Sequence, residues 1–311
     1  MNGKQSRMLQ LLDHLACPAC LGDLKLSGQG LECCSCQATY SVKGDIPVLL
    51  LPTSVSALNS RKDQAENIQL RSMLGRYPRL LKVIDAIRPP HPFLFLRSRA
   101  NRAHFSKLAQ PSGNNPVFLD IGSGIHGGLN ASGLTKNVLT NLVPSEIDLV
   151  EGVGVVADAH RLPWKDDSLD GVLIQGVLEH VADPEKIVSE IFRTLKPGAP
   201  IYVDVPFIQH YHQDPFDFRR YTLEGLEQLF SDFEKVDSGV AAGPASALTD
   251  MLTEFPSVLF KSSWAYWFVK TVLGWLFSPI QLLDVFWSRA GRAHMLSGAV
   301  YYLGRSPEDK A

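Results

Sequence analysis

From Val117 onward, short apolar runs alternate with stretches of helical periodicity, a pattern that predicts an α/β fold with a largely parallel sheet. Seven runs read as strands: Val117–Ile121, Val138–Val143, Val153–Ala157, Gly171–Gln175, Ile201–Val205, Glu234–Val240 and Gly298–Gly304. Between the fourth and fifth, Ile187, Ile191 and Leu195 recur every four residues with Val188 and Phe192 beside them, so one stripe faces the sheet. Asp183 suits the N-cap, Pro184 suits the first turn, where its missing N–H costs nothing, and "KPG" (Lys196–Gly198) stops the helix. Upstream, "LKLSGQGLEC" reads as a hairpin turning at Ser27–Gly30, and "GDIPVLLLP" as a strand that closes a first module near Leu51. Residues 58–110 read as helical, broken by Pro78 and by "RPPHP" at Arg88–Pro92, with a loop at Pro111–Pro116. After the sixth strand comes an apolar insertion, Ala241–His294, that contains "WAYWFVKTVLGWLFSPIQLLDVFW" (Trp264–Trp287). Its longest uncharged run, Thr271–Leu283, is shorter than the roughly 20 residues a bilayer span needs.

Charge changes this picture in one place. The net charge of −2 hides a segment, Arg61–Lys107, with eleven Lys/Arg against three Asp/Glu. Cysteine changes it in another. All five cysteines lie between Cys17 and Cys36, and Cys17/Cys20 and Cys33/Cys36 form two C-x2-C pairs with twelve residues between them. Two such turns brought together by a hairpin supply four thiolates, a closed tetrahedral set for structural Zn²⁺. Cys34 is left over. No secretory apolar stretch precedes the pairs, so a reducing, cytoplasmic setting is expected rather than a disulfide framework.

The candidate chemistry lies at strand ends. "FLDIGSG" (Phe118–Gly124) places Asp120 at a strand tip, followed by Gly122, Ser123 and Gly124, whose small residues allow close approach of a ligand to the backbone. "VVADAHRLPW" places Asp158 and Ala159 beyond the third strand, and "LDGVLIQGVLEHV" places Gln175, Glu179 and His180 at the end of the fourth. Carboxyl ends of strands around a switch in strand order form the ligand crevice of an open α/β sheet.

Taken in order, D-x-G-x-G, D-A-x-x-L-P, L-D-x-V…L-E-H and L-K-P-G resemble the class I S-adenosylmethionine (SAM)-dependent methyltransferases of the UbiE-like, type 11 group, over about Val117 to Phe233. The N-terminal stretch is similar to the small zinc-ribbon proteins that activate tRNA, rRNA and release-factor methyltransferases. The resemblance implies a Rossmann-like sheet, a SAM cofactor and a zinc site that supports the enzyme. It also implies that Asp120, Gly122, Ser123 and Gly124 line the amino-acid end of SAM, that Asp158 and Ala159 meet the adenine, and that Gln175 lies beneath the sulfonium. The family usually has an acid at the end of its second strand for the ribose hydroxyls. Here that position falls on Val143, which leaves the neighbouring Asn141, or Glu146, to reach in. Some UbiG-type relatives bind a metal through E-x-x-E-H, but Gly176 stands at the first carboxylate position, so no catalytic metal is expected.

These readings divide the chain into a zinc-ribbon module (1–57), a basic helical connector (58–112), a methyltransferase domain (113–305, with the apolar insertion at 241–295) and a tail (306–311). Methyl transfer needs alignment above all, plus a general base where the acceptor must lose a proton. His210 or His212, in "FIQHYHQDPFDFRRYT" (Phe207–Thr222), is the expected base, with Arg220 and Tyr221 bracing that loop. The expected acceptor is an oxygen or nitrogen of a small molecule, lipid-linked or glycan in character if the insertion meets the inner face of a membrane. An RNA methyltransferase with phosphate contacts at Arg71, Arg76, Arg79, Arg97, Arg99 and Arg102 is one alternative; a non-catalytic methyltransferase-like protein is the other.

Overall fold

The computed structural model describes residues 8, 10–28, 30–56, 92–109, 115–124, 132–212 and 216–310. Four strands come first: β1 (Leu24–Ser27), β2 (Gly30–Cys33), β3 (Thr39–Lys43) and β4 (Ile46–Leu49). Helix α1 (Pro92–Leu108) precedes β5 (Phe118–Ile121), a short helix α2 (Lys136–Thr140), β6 (Leu142–Glu146), β7 (Val155–Ala157) and β8 (Gly171–Gln175). Then follow α3 (Pro184–Thr194), β9 (Pro200–Pro206), α4 (Leu223–Leu229) and β10 (Glu234–Ala242). The insertion contributes α5 (Pro244–Ser257), α6 (Ser263–Phe277), a 3-10 stretch (Ser278–Leu283) and α7 (Asp284–Trp287) before the last strand, β11 (Ala299–Arg305).

One sheet of eleven strands runs β1-β2-β3-β4-β7-β6-β5-β8-β9-β11-β10. The strands from β4 to β9 pair in parallel, and β11 returns antiparallel between β9 and β10. Strand order therefore reverses between β5 and β8, and the crevice at their carboxyl ends is where such sheets take ligands. All four residues of β5 and all five of β8 are buried, as expected of strands covered on both faces. On one face, a core runs from Leu15 and Leu31 in the N-terminal segment through Trp164 to Ile187 and Ile191 of α3. On the other, Phe105 of α1 packs with Phe118, Tyr202 and Leu303. Gly171 makes room there: a Cβ at that position would stand 2.9 Å from Phe118 and 3.0 Å from Phe105.

Helix α3 begins as its sequence implies. The Asp183 carboxylate accepts from the Lys186 N–H, and Pro184 opens the first turn. The second strand is a correction. Val138–Val143 is not a strand: the Thr135 hydroxyl accepts from the Val138 N–H and starts α2, Asn141 caps its far end, and the strand runs from Leu142 to Glu146. Apolar content alone does not separate a one-turn helix from a strand. Most of the basic connector lies outside the described residues.

Strand β4 adds to the edge of β7, with Val48 opposite Val156 and Leu49 opposite Ala157. Nearby, the Ala16 N–H donates to Pro163 O (3.0 Å) and the Lys165 N–H to His14 O (2.9 Å). The four-stranded N-terminal segment is thus built into the sheet and shares its core.

Candidate active site

Both faces of the crevice start from glycine and carboxylate. Gly122 holds φ at +68°, and a Cβ on it would stand 2.3 Å from a Val177 methyl, so the turn after β5 closes only around glycine. Its N–H and that of Ser123 donate to Ser145 O, at 2.9 and 3.2 Å, tying this turn to the end of β6. The Gly124 N–H donates to Glu146 Oε1 at 2.7 Å. Glu146, not Asn141, stands at the carboxyl end of β6. The Asn141 amide donates instead to Asn137 O at the opposite end of that strand, since the strand begins after it. The three-residue shift in β6 removes the missing-acid problem at Val143.

Three polar atoms converge at these strand ends without hydrogen-bond partners among the described residues: Asp120 Oδ1, Ser123 Oγ and Gln175 Nε2, all on buried residues. Orphaned buried polar groups are costly, and three in one crevice mark a place for a polar ligand. Burial pushes the Asp120 carboxyl up to about 7; the Arg102 charge opposes that rise, while Glu146 and Asp204 add to it. Asp204, at the end of β9, is raised to about 6 by burial against the same opposing Arg102. Burial also lifts Glu179 to about 8. Three carboxyls held toward the protonated form by burial, Asp120 and Asp204 beside Arg102 and Glu179 beside Arg220, make an environment that would gain from a cationic ligand.

Arg102 is one of the six arginines offered for phosphate contacts in the RNA alternative. It is instead 4% exposed, donating to Gln175 Oε1 (2.9 Å), to Ser132 O (2.8 Å) and to Ser132 Oγ (2.8 Å). Arg97 donates to Val240 O, so two of the six arginines assigned to phosphate contacts are committed inside the protein. Arg99 is exposed, and Arg71, Arg76 and Arg79 lie outside the described residues.

Asp158 follows β7 and is already engaged. Its Oδ2 accepts from the Ser54 hydroxyl (2.6 Å), and its Oδ1 from the His160 N–H (2.9 Å) and ring Nδ1 (2.8 Å). Burial works against ionisation, but these bonds outweigh it and hold the carboxyl well below the usual range. Ala159 starts the 3-10 turn that Asp158 caps. The expectation of an open acceptor for an adenine amine therefore meets a carboxylate held from the N-terminal side.

A second centre lies beyond β9. The His210 Nδ1 is 2.8–2.9 Å from both oxygens of Asp250, and the His210 N–H also donates to Asp250 Oδ2. His210 Nε2 stands 3.3 Å from Glu254 Oε1, and Glu254 pairs with Lys270 and accepts from the Tyr266 hydroxyl (2.7 Å). Burial tends to raise Asp250, yet its His210 bonds leave it below its ordinary value. Together with Ile208, Thr253 and Gln281, the residues His210, Asp250 and Lys270 line a cavity of about 540 Å³ between the ends of β9, β10 and β11 and the inner sides of α5 and α6. His212 also lines it, with Nδ1 3.2 Å from His210 O and Nε2 3.9 Å from Glu179 Oε1, and burial lowers its pKa. Arg220 holds the loop, donating to Gln209 O, His210 O and both oxygens of Asp217, and the Tyr221 hydroxyl donates to Leu178 O.

Metal-ligating geometry occurs three times among the described residues. The Cys17, Cys20, Cys33 and Cys36 sulfurs all lie within 4.8 Å of one another, with Cys17–Cys36 at 3.7 Å and Cys20–Cys33 at 3.5 Å. A tetrahedron with Zn–S bonds of about 2.3 Å has edges of about 3.8 Å, so the set fits zinc. The two knuckles match: Leu21 and Gln37 each hold φ at +61°, donating to Cys17 O and Cys33 O. The Cys36 and Ser35 N–H groups aim at Cys33 Sγ, and the former does most to lower that thiol to about 6. Glu179/His180/His212 and His210/Asp250/Glu254 are the other two sets.

Sequence comparison agrees with this geometry. Residues 119–203, from β5 to β9, match the profile of the family described as "Methyltransferase domain". Over these residues the chain is similar to that family. Norajmaline N-methyltransferase of Rauvolfia serpentina is 34% identical over 113 residues, 30% of this chain and 37% of that protein. A demethylmenaquinone methyltransferase of Desulfitobacterium hafniense is 30% identical over 129 residues, 39% of this chain and 44% of that one. The chain thus spans less than half the length of either relative. Among solved structures, coclaurine N-methyltransferase bound to N-methylheliamine and SAH superposes with a TM-score of 0.46 at 10% identity, covering 82% of this chain and 89% of that one. The matched residues contain Asp120, Glu146, Asp158, Gln175 and Glu179; the cavity around His210 lies outside them. Asp250 and Glu254, four apart on α5, were legible as a carboxylate pair on one helix face but lay in a stretch with no familiar pattern.

Proposed function

We propose that this chain transfers a methyl group from SAM to an oxygen or nitrogen of a small acceptor held in the cavity beside His210. The observation that carries the reading is the crevice at β5, β6 and β8, where unpartnered Asp120, Ser123 and Gln175 atoms meet carboxyls that favour a cation. When bound, SAM supplies a cationic sulfonium with a transferable methyl. Asp120 and Ser123 would hold its amino-acid end, Glu146 its ribose, and Gln175 the region beneath the sulfonium. On the acceptor side, Asp250 fixes the proton of His210 on Nδ1, which leaves Nε2 to take a proton from the acceptor. Glu254, 3.3 Å from Nε2, stabilises the imidazolium that results. Cys17, Cys20, Cys33 and Cys36 would hold a structural Zn²⁺. The relatives' names, a norajmaline N-methyltransferase and a demethylmenaquinone methyltransferase, support a small-molecule acceptor. Calorimetry with SAM and its demethylated product on zinc-replete protein tests the core of this. Binding of either at one site per chain, weakened about tenfold or more by Glu146→Ala, is expected; no heat with either ligand would overturn it.

A further inference from the structure

Helices α5 to α7 have two unlike sides. The inner sides of α5 and α6 wall the His210 cavity, while the outer sides of α5 to α7 and the turns that follow α5 and α7 carry Phe255, Leu259, Trp264, Leu276, Phe286 and Leu296, each between 62% and 79% exposed. Patches of this kind on a soluble monomer mark a contact surface. We propose that this face lies in the interfacial layer of an anionic lipid bilayer, without crossing it.

Three observations choose lipid as the occupant. Within residues 244–296 the acids Asp250, Glu254 and Asp284 are all turned inward, whereas the exposed charges are Lys261, Arg289 and Arg292. An apolar face with a wholly cationic rim complements anionic headgroups, and offers a second copy of the same face no opposite charge. Three of the five tryptophans in the chain, Trp264, Trp275 and Trp287, stand exposed on these elements, and indole rings favour the headgroup level. Finally, Ser263–Trp287 is long and apolar enough by composition to cross a membrane, with a mean hydropathy of 1.3 over an 18-residue window, yet its second half is bolted to the protein. Gln281 is 1% exposed, and the buried Asp284 carboxylate accepts from the Ala245 and Ser246 N–H groups (both 2.8 Å) and the Ser246 hydroxyl (2.6 Å). Crossing would strip α5 of that cap and carry a carboxylate into hydrocarbon. The segment lies along the surface, which places the acceptor cavity within one helix diameter, about 10 Å, of lipid.

Docking does not depend on the methyl-transfer reading, and its test is separate. Full-length, zinc-replete protein is floated with phosphatidylcholine vesicles, with or without phosphatidylglycerol. Flotation only with the anionic vesicles is expected, falling as salt rises. Phe255→Ser with Trp264→Ser, and Lys261→Glu with Arg289→Glu and Arg292→Glu, should each weaken binding by about tenfold or more, with unchanged thermal midpoints showing that both variants fold. Release of membrane-bound protein by alkaline carbonate is expected; retention would overturn the interfacial placement. Failure to float with any vesicle overturns the proposal, and a stable dimer dispersed by Phe255→Ser with Trp264→Ser would assign the face to a second copy instead.

Discussion

Asp120 is where a single proton becomes measurable. Burial raises its carboxyl to about 7, above the ordinary 3.8, with Glu146 and Asp204 adding to the shift. In the free protein the folded chain therefore holds a proton that the unfolded chain gives up. On this account stability falls as pH rises from about 4 to about 7. Ligand binding runs the other way. A cation beside Asp120 favours the carboxylate, so SAM should bind more tightly as pH rises through 7 and should release a proton in doing so. Affinity should drop by up to about tenfold per pH unit below 7. Calorimetry in two buffers of different ionisation enthalpy checks this: a buffer-dependent heat at pH 7 is expected, and Asp120→Asn should abolish it. A heat independent of buffer in the unmodified protein would remove Asp120 from the cofactor site. His210 makes a second residue-scale case. If its Nε2 takes the acceptor proton, His210→Gln lowers kcat by a factor of about 10²–10⁴ while leaving the SAM affinity intact. Asp250→Asn, which removes the charge beside the imidazole and its fixed tautomer, should shift the pH profile of kcat as well. Equal kcat in His210→Gln and unmodified protein would leave the base unassigned.

Between elements, Arg161 links the cysteine knuckle to the turn that follows Asp158. The Arg161 guanidinium donates to Pro18 O and to Ala19 O (2.7 Å), the two carbonyls inside the first C-x2-C turn. Arg161 also ends the 3-10 turn that begins at Asp158, while Ser54, just past β4, donates to Asp158 itself. Metal at the knuckle would fix the Pro18–Ala19 carbonyls, and these fix the turn that presents Asp158. Arg161→Ala should keep zinc but weaken SAM binding by about tenfold, the worth of one charge-assisted hydrogen bond. A chelator should do the same to the unmodified protein, and Cys34→Ser should change neither. Unaltered SAM affinity in a zinc-containing Arg161→Ala protein would break the link. None of this was readable beforehand, because it joins residues 143 positions apart. What was readable were strands that pair locally or bury on both faces, such as Gly171–Gln175, and the capped helix after Asp183. Strand β6 failed because Thr135, a polar residue outside the apolar run, starts a helix there and pushes the strand back to Leu142. Arg102 failed because a basic stretch looks the same from sequence whether its cations face water or, like this one, turn inward to the Gln175 amide near Asp120 and Asp204.

For the molecule as a whole, the decisive fact is that the N-terminal strands have no core of their own. Leu15, Leu24 and Leu31 pack in one continuous cluster with Trp164, Leu162 and the α3 residues Ile187 and Ile191. Strand β4 meanwhile covers the β7 edge, whose backbone would otherwise offer unpaired N–H and C=O groups to any passing chain. A zinc ribbon that merely leaned on the enzyme would melt separately from it. A ribbon that completes the sheet should not. Heating the zinc-loaded protein should therefore give coincident midpoints for zinc release, followed with a metal indicator, and for loss of far-ultraviolet circular dichroism. Chelation should lower the midpoint of the whole transition rather than uncover a stable remainder, since metal binding to the folded chain alone is folding free energy. Removing residues 1–50 should leave a protein that aggregates through β7. A truncated chain that stayed monomeric and kept its thermal midpoint would mean that the other seven strands fold without the first four. The ribbon would then be an appendage rather than part of the enzyme's frame.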